Sequence, residues 1–483
     1  MSPELIFGSF LIYTFIIFSI SWFTSRKADN QSFFIGNHKS PWFVVAYGMI
    51  GASLSGVTFI SIPGWVGDTG FSYFIIVLGY VVGYAVISTV LLPMYYKLNL
   101  TSIYTYLGIR FGNFSYKTGA VYFLISRIIG ASFRMFLVVS VLQVFVFDYF
   151  KIPFWVTVTI FMGLIQLYTL KGGIKTIIWT DTLQTTFMLG AVIATIVIIV
   201  NHMDIRMIDA ISGVWNSTLS ETIIIDINSK QNFIKLFLSG VFITIVMTGL
   251  DQDMMQKNLS CSNLKDAQKN MTTLSLILIP VNLIFLFLGA LLFLYSGHFN
   301  IASPLSSDHV FPDIAFNYLG TAAGIVFIIG LISAAYSSAD SALTSLTTSF
   351  SIDILELDKK HADDEKLLKK KRYIVHVAMS IIIIFVILLF KIINNQAVIA
   401  QLFTFAGYTY GPLLGLYAFG LLTKFKAHDK LVPVIAIIAP VLSYFISHYS
   451  TIYLKGYEIG FELLIINGAL AFIGLYLTRK KTT

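Results

Sequence analysis

Cysteine and charge are both scarce in this 483-residue chain. Its one thiol, Cys261, excludes an intramolecular disulfide and any multi-cysteine metal site. Asp, Glu, Lys and Arg together make up 12% of the residues, about half the share usual in a soluble domain. No apolar run carries paired histidines, an H-E-x-x-H pattern or a Gly-x-Ser-x-Gly setting, which argues against an intramembrane enzyme. The chain also shows no ring of charge for a channel and no output domain for a solute sensor.

Apolar side chains fill the space that charge leaves. They account for 57% of residues, aromatics for 15%, and the mean hydropathy is +0.81. Apolar runs of about 20 residues recur from end to end, the length that crosses hydrocarbon as a helix. A β-barrel would show alternating segments of about ten. The fold class is therefore an all-α polytopic membrane protein of about 13 helices. The runs lie at 3–25, 42–67, 71–95, 118–148, 152–171, 176–201, 233–256, 270–296, 312–352, 373–392, 396–423, 430–450 and 458–478.

The formal charge of +8 and the pI near 9.2 suggest nucleic acid until the basic residues are placed. They follow topology instead. With the N-terminus outside and the C-terminus cytoplasmic, the inner loops take Arg26, Lys27, Lys39, Lys97, Arg110, Lys117, Lys171, Lys175, Lys257, Lys265 and Lys269. They also take the cluster from Lys359 to Arg372, then Lys424, Lys426, Lys430 and Arg479, Lys480 and Lys481. Cationic residues concentrate on the cytoplasmic side of membrane proteins. This reading places the chain in the inner or plasma membrane with the lipid bilayer as its partner, and with neither nucleic acid nor an obligate protein partner. The first run lacks a basic start and an A-x-A cleavage site and reads as a retained span. Cys261 falls in an inner loop, and the charged stretch 353–372 reads as a solvated one.

Four stretches put polarity where hydrocarbon would punish it. "GMIGASLSGVTFISIPG" (48–64) suggests a helix interrupted mid-membrane, with small-residue packing as the rival account. "ISRIIGASFRMF" (125–136) sets Arg127 and Arg134 seven apart on one helical face; such cations pair with an acid, snorkel, or meet an anionic ligand. "GGIKTIIWTDTLQTTFM" (172–188) buries Asp181, which marks a cation site or an ion pair. In "ISAAYSSADSALTSL" (332–346), Ala334, Ser337, Ser338 and Ser341 stand at i, i+3, i+4 and i+7, one face, with Asp340 at its edge. Hard cations prefer oxygen ligands, and hydroxyls joined by freed carbonyls provide them.

The motifs "GGIKTIIWTDTLQ" (172–184), "GLDQDMMQKNLSC" (249–261), "AAYSSADSAL" (334–343) and "AGYTYGPLLGLYAFGLL" (406–422) resemble, in order, those of the sodium:solute symporter family. That family includes sodium/galactose, sodium/proline and bacterial sialic acid symporters. The resemblance implies a LeuT-type core of two inverted five-helix repeats, here 42–201 and 233–423. A helix and loop (1–41) precede it, an extracellular loop (202–232) joins the halves, and two helices and a tail (424–483) follow. It implies a sodium site from backbone oxygens of Gly51, Leu54 and Ala334 and hydroxyls of Ser337 and Ser338. A second sodium is left open at Asp181, Ser337, Asp340 and Ser341, where Asp340 replaces the serine the family pattern leads one to expect.

For the solute, the resemblance points to Ser53, Ser55 and Thr58 on the first core span and Thr244 and Thr248 on the sixth. Arg127 or Arg134, on the third, would face a carboxylate as in the sialic acid symporters. The acidic or amide pair of sugar-transporting members falls near Thr58 and Val77 and is not reproduced. The implied function is secondary active transport by alternating access: symport of one sodium, or two, with a small organic solute, with a lean towards a sialic-acid-like carboxylate. Proton coupling through Asp181 and Asp340, or a sugar or amino-acid solute, are the alternatives, with a sensor or channel more distant.

Overall fold

A computed structural model describes the chain except for residues 1–2, 27–28, 303, 305, 361–363, 394–397 and 481–483. Lys27, Lys481 and the middle of the 353–372 stretch thus lie outside the described residues. A helix stands in each apolar run read from the sequence. In chain order these are α1 (Pro3–Ser25), α2 (Trp42–Thr69), α3 (Tyr73–Lys97), α4 (Asn113–Phe147), α5 (Phe154–Gly172) and α6 (Ile174–His202). After a surface segment holding the short helix Met207–Trp215 come α7 (Phe233–Gly249), α8 (Gln252–Leu259), α9 (Leu264–His298) and α10 (Gly320–Ile354). The last four are α11 (Glu365–Ile393), α12 (Val398–Leu422), α13 (Val432–Tyr453) and α14 (Leu463–Leu477). Among the described residues, 10 helices are long and apolar enough to cross a membrane, or 11 if α7 and α8 form one bent span.

Three departures from the expected runs matter. The run 233–256 is two helices, α7 and α8, bent by 64°. Asp251 enforces the restart, because its Oδ1 accepts the N–H groups of Asp253 (2.9 Å) and Met254 (3.3 Å), satisfying the open amides of α8. The run 312–352 is also divided: Val310–Asn317 ends first, and α10 begins at Gly320, whose φ of 83° suits glycine. Finally, the loop after α8 begins inside the protein: Ser260 and Cys261 are buried before Ser262 and Asn263 reach the surface. Cys261 is fully buried, and its carbonyl accepts the Tyr96 hydroxyl at 3.2 Å.

Burial pushes the Cys261 thiol up to about 12. At pH 8 roughly one such thiol in 10⁴ is ionised, and the thiolate is the reactive form. Maleimide labelling of the native protein is therefore expected to be negligible over minutes and complete after denaturation. Rapid native labelling would show that this loop opens readily.

The packing explains how a serine-rich helix survives here. From Phe327 to Ser349 nearly every residue of α10 is buried, not by lipid but by α2, α4, α6 and α11. Ser338, Ser345, Thr347 and Thr348 return their hydroxyl protons to carbonyls of their own helix, which removes most of the cost of burying them. Small residues then let α2 approach α6. A Cβ on Gly51 would lie 2.4 Å from Thr185 Oγ1, and one on Gly48 would lie 3.0 Å from the Asp181 Cβ. The outer faces of the bundle carry exposed apolar side chains such as Phe15, Phe385 and Ile437, the surface a lipid-facing helix needs.

Candidate functional site

α2 is not continuous. Ser55 takes φ 41° and ψ 172° in its middle, a strained conformation for a residue with a Cβ. Such a break leaves carbonyls of the preceding turn without their amide partners, and that turn contains Gly51 and Leu54. Both residues are buried. The Gly51 N–H donates to Thr185 Oγ1 at 3.1 Å, and a Cβ on Gly51 would lie 3.4 Å from Ser337 Oγ. The broken turn therefore faces the hydroxyl side of α10. Ser338 donates to the Ala334 and Ala335 carbonyls at 3.0 and 3.1 Å, which keeps its oxygen lone pairs available. Gly51, Leu54, Ala334, Ser337 and Ser338 thus come from two helices packed against each other.

The residues read as a second cation site also meet. Asp181 on α6 accepts the Ser337 hydroxyl at 2.7 Å through Oδ1. Asp340 accepts the Tyr168 hydroxyl at 2.8 Å and the Ser341 N–H at 2.6 Å. The Ser341 hydroxyl is buried without a partner among the described residues. Lys257 is the correction here. Assigned from the sequence to an inner loop, it lies on α8 with 1% exposure, its Nζ 2.6 Å from Asp181 Oδ2. The bend between α7 and α8 turns it inward. The lysine's own position just beyond an apolar run does not separate it from a flanking topogenic lysine.

The two arginines of α4 part company. Arg127 does not snorkel. It is buried and ion-paired with Asp253, with Asp251 at 3.8 Å, and Tyr410 on α12 donates to the same Asp251. This network ties α4, α8 and α12 together. Arg134, one face-repeat deeper, is buried with its Nε unpartnered, and it forms no ion pair with Asp181, whose charge Lys257 takes.

Both arginines border a cavity of about 90 Å³ that gathers every solute candidate named from the sequence: Ser53, Ser55 and Thr58 from α2, and Thr244 and Thr248 from α7. Tyr73, Tyr80 and Tyr84 on α3, Asn282 on α9 and Phe403 on α12 complete it. The sequence reading missed these. An amide inside the apolar run of α9 was a usable signal; the tyrosines were not, since aromatics pack everywhere in this chain. Val77 is buried but does not line the cavity. Ser53 Oγ and Asn282 Oδ1 have no partner among the described residues, so the walls offer unsatisfied donors and acceptors beside a cation. A larger cavity of about 650 Å³ lies towards the 202–232 and 454–462 loops, lined by Phe133, Phe390 and Phe405. Phe133 and Phe390 stack at 4.0 Å beside Arg134.

Comparison with known proteins decides the family. The model of the sodium:solute symporter family matches residues 33–424. The chain belongs to that family. It is a multi-pass membrane transporter that couples the entry of sodium to that of a small solute, and it is not an enzyme. The sodium/sialic acid symporter NanT of Aliivibrio fischeri is 25% identical over 441 residues, covering 87% of this chain and 83% of NanT. The mouse sodium-coupled monocarboxylate transporter 2 is 23% identical over 83% of this chain and 64% of its own. A solved substrate-bound, outward-open sodium-coupled sialic acid symporter superposes with a TM-score of 0.83 at 18% identity, over 99% of both chains. The shared fold is the LeuT type, which in this family places a site at broken helices.

Proposed function

We propose that this symporter carries a small organic acid, with the solute carboxylate on Arg134 and sodium held by Gly51, Leu54, Ala334, Ser337 and Ser338. The carrying observation is the contrast between the two arginines that border the polar cavity: Arg127 is neutralised by buried aspartates, and Arg134 has no ion pair among the described residues. The sialic acid and monocarboxylate transporters among its relatives, which handle carboxylates, support the same class. The cavity hydroxyls and Asn282 would read the rest of the solute.

Alternating access then follows from linkage. Sodium between α2 and α10 favours the form in which the cavity is built, and solute favours sodium by the same coupling free energy. The two inverted repeats, 42–201 and 233–423, rock about the site, with the N-terminus outside, the C-terminus cytoplasmic and the protein in the cell membrane. Arg127, Asp251, Asp253 and Tyr410 close the inner side. The membrane potential contributes about 2.3 kcal/mol per 100 mV for each net charge carried. A monoanion travelling with one sodium therefore feels only the sodium gradient.

Uptake into proteoliposomes at fixed pH, with sodium replaced by choline, tests the reading. Saturable uptake of short carboxylates or sialic acid is expected to fall to background without sodium. Uptake driven by an imposed proton gradient in choline would instead assign coupling to Asp340.

A further inference from the structure

The position left open for a second sodium is met by a cationic side chain of the protein itself. Asp181 offers two carboxylate oxygens. One accepts the Ser337 hydroxyl at 2.7 Å, and the other faces the Lys257 ammonium at 2.6 Å. Both charged groups are 1% exposed. Ser341, one turn beyond Ser337, keeps its hydroxyl unpartnered, and Asp340 stands beside it on α10. An ammonium is a compact unit charge with three donors. It meets the oxygens of Asp181 as a sodium ion would, and its charge opposes the entry of another cation in so enclosed a space.

We propose that Lys257 is a tethered counterpart of a second sodium, so that this chain binds one sodium, where Asp181, Ser337, Asp340 and Ser341 freed of the ammonium would hold another. The inference rests on the first sodium site described above and fixes the stoichiometry of the same machinery. It also gives α8 a part in coupling. The inner half of the bent α7–α8 segment is fastened to α6 by an ion pair, adjacent to Ser337 of the first site. Removing the ammonium frees a carboxylate, a hydroxyl pair and a neighbouring acid, which together form an oxygen cage suited to a hard cation.

Equilibrium binding of sodium-22 to the purified full-length protein in nanodiscs tests this with sodium alone. Wild type is expected to bind one sodium per chain and Lys257→Met two, with Lys257→Arg remaining at one. Because Lys257→Met strands a buried aspartate, Lys257→Met/Asp181→Asn provides a neutral pair that does not depend on that variant folding. It is expected to bind one sodium with wild-type affinity. Two sodium ions on wild type, one on folded Lys257→Met, or loss of sodium from the double variant would each overturn the proposal and leave sodium-coupled transport standing. No saturable sodium on any of them would overturn both.

Discussion

Arg134→Ala is expected to abolish uptake of a carboxylate solute while sodium-22 binding in its absence stays near wild type. Truncating one partner of a buried, hydrogen-bonded charge pair costs about 2–5 kcal/mol, which is roughly 30- to 4,000-fold in affinity. The upper part of that range applies when the remaining charge has no other cation to meet. Here the nearest alternative is Arg127, and its guanidinium is already held by Asp253 and Asp251. Arg134→Lys should restore transport only partly, because a lysine replaces a planar fork of donors with a point charge. Unaltered uptake in Arg134→Ala would remove the carboxylate assignment.

Arg127→Ala provides the contrast that makes this interpretable. It leaves two buried aspartates without their cation, so loss of function there would accompany loss of thermal stability and would extend to every solute. Arg134 carries no such structural duty among the described ion pairs. Its removal should change the apparent affinity for acids and spare the melting temperature. A shared loss of stability in both variants would mean that the two arginines form one structural unit.

The difference between these arginines marks the limit of what could be read from the chain. The seven-residue spacing placed both on one face, correctly, since both reach the same cavity. The partners of Arg127 lie more than a hundred residues away, at the start of α8 and on α12, where only the folded arrangement brings them to it. The glycines, serines and proline of α2 allowed either a break or close helix packing, and both are present: Ser55 carries the strained backbone, while Gly48 and Gly51 face α6. The hydroxyl face of α10 was legible from helical periodicity. Lys257 was not, because a lysine just beyond an apolar run satisfies the positive-inside rule whether or not the chain folds it back. The sign available was Asp251 in "GLDQDMMQK", an N-cap residue that announces a new helix and therefore a bend.

Ser338→Ala is the sharper of the two serine substitutions, and the physical reason lies in what each hydroxyl does besides meeting sodium. Ser337 donates to Asp181 at 2.7 Å, so its loss also disturbs the Asp181–Lys257 pair. Ser338 donates only to carbonyls of its own helix, at 3.0 and 3.1 Å, and those retain helical partners when it is gone. Its removal deletes one oxygen ligand and little else. Coupling free energies between linked sites run at about 1–3 kcal/mol, so losing one ligand should raise the sodium concentration for half-maximal uptake about tenfold at fixed solute. Maximal uptake at saturating sodium should be largely retained. Ser337→Ala/Ser338→Ala should exceed this, with sodium-dependent uptake falling close to background. Sodium dependence unchanged in Ser338→Ala, measured in proteoliposomes with solute held below saturation, would place the ion elsewhere than between α2 and α10.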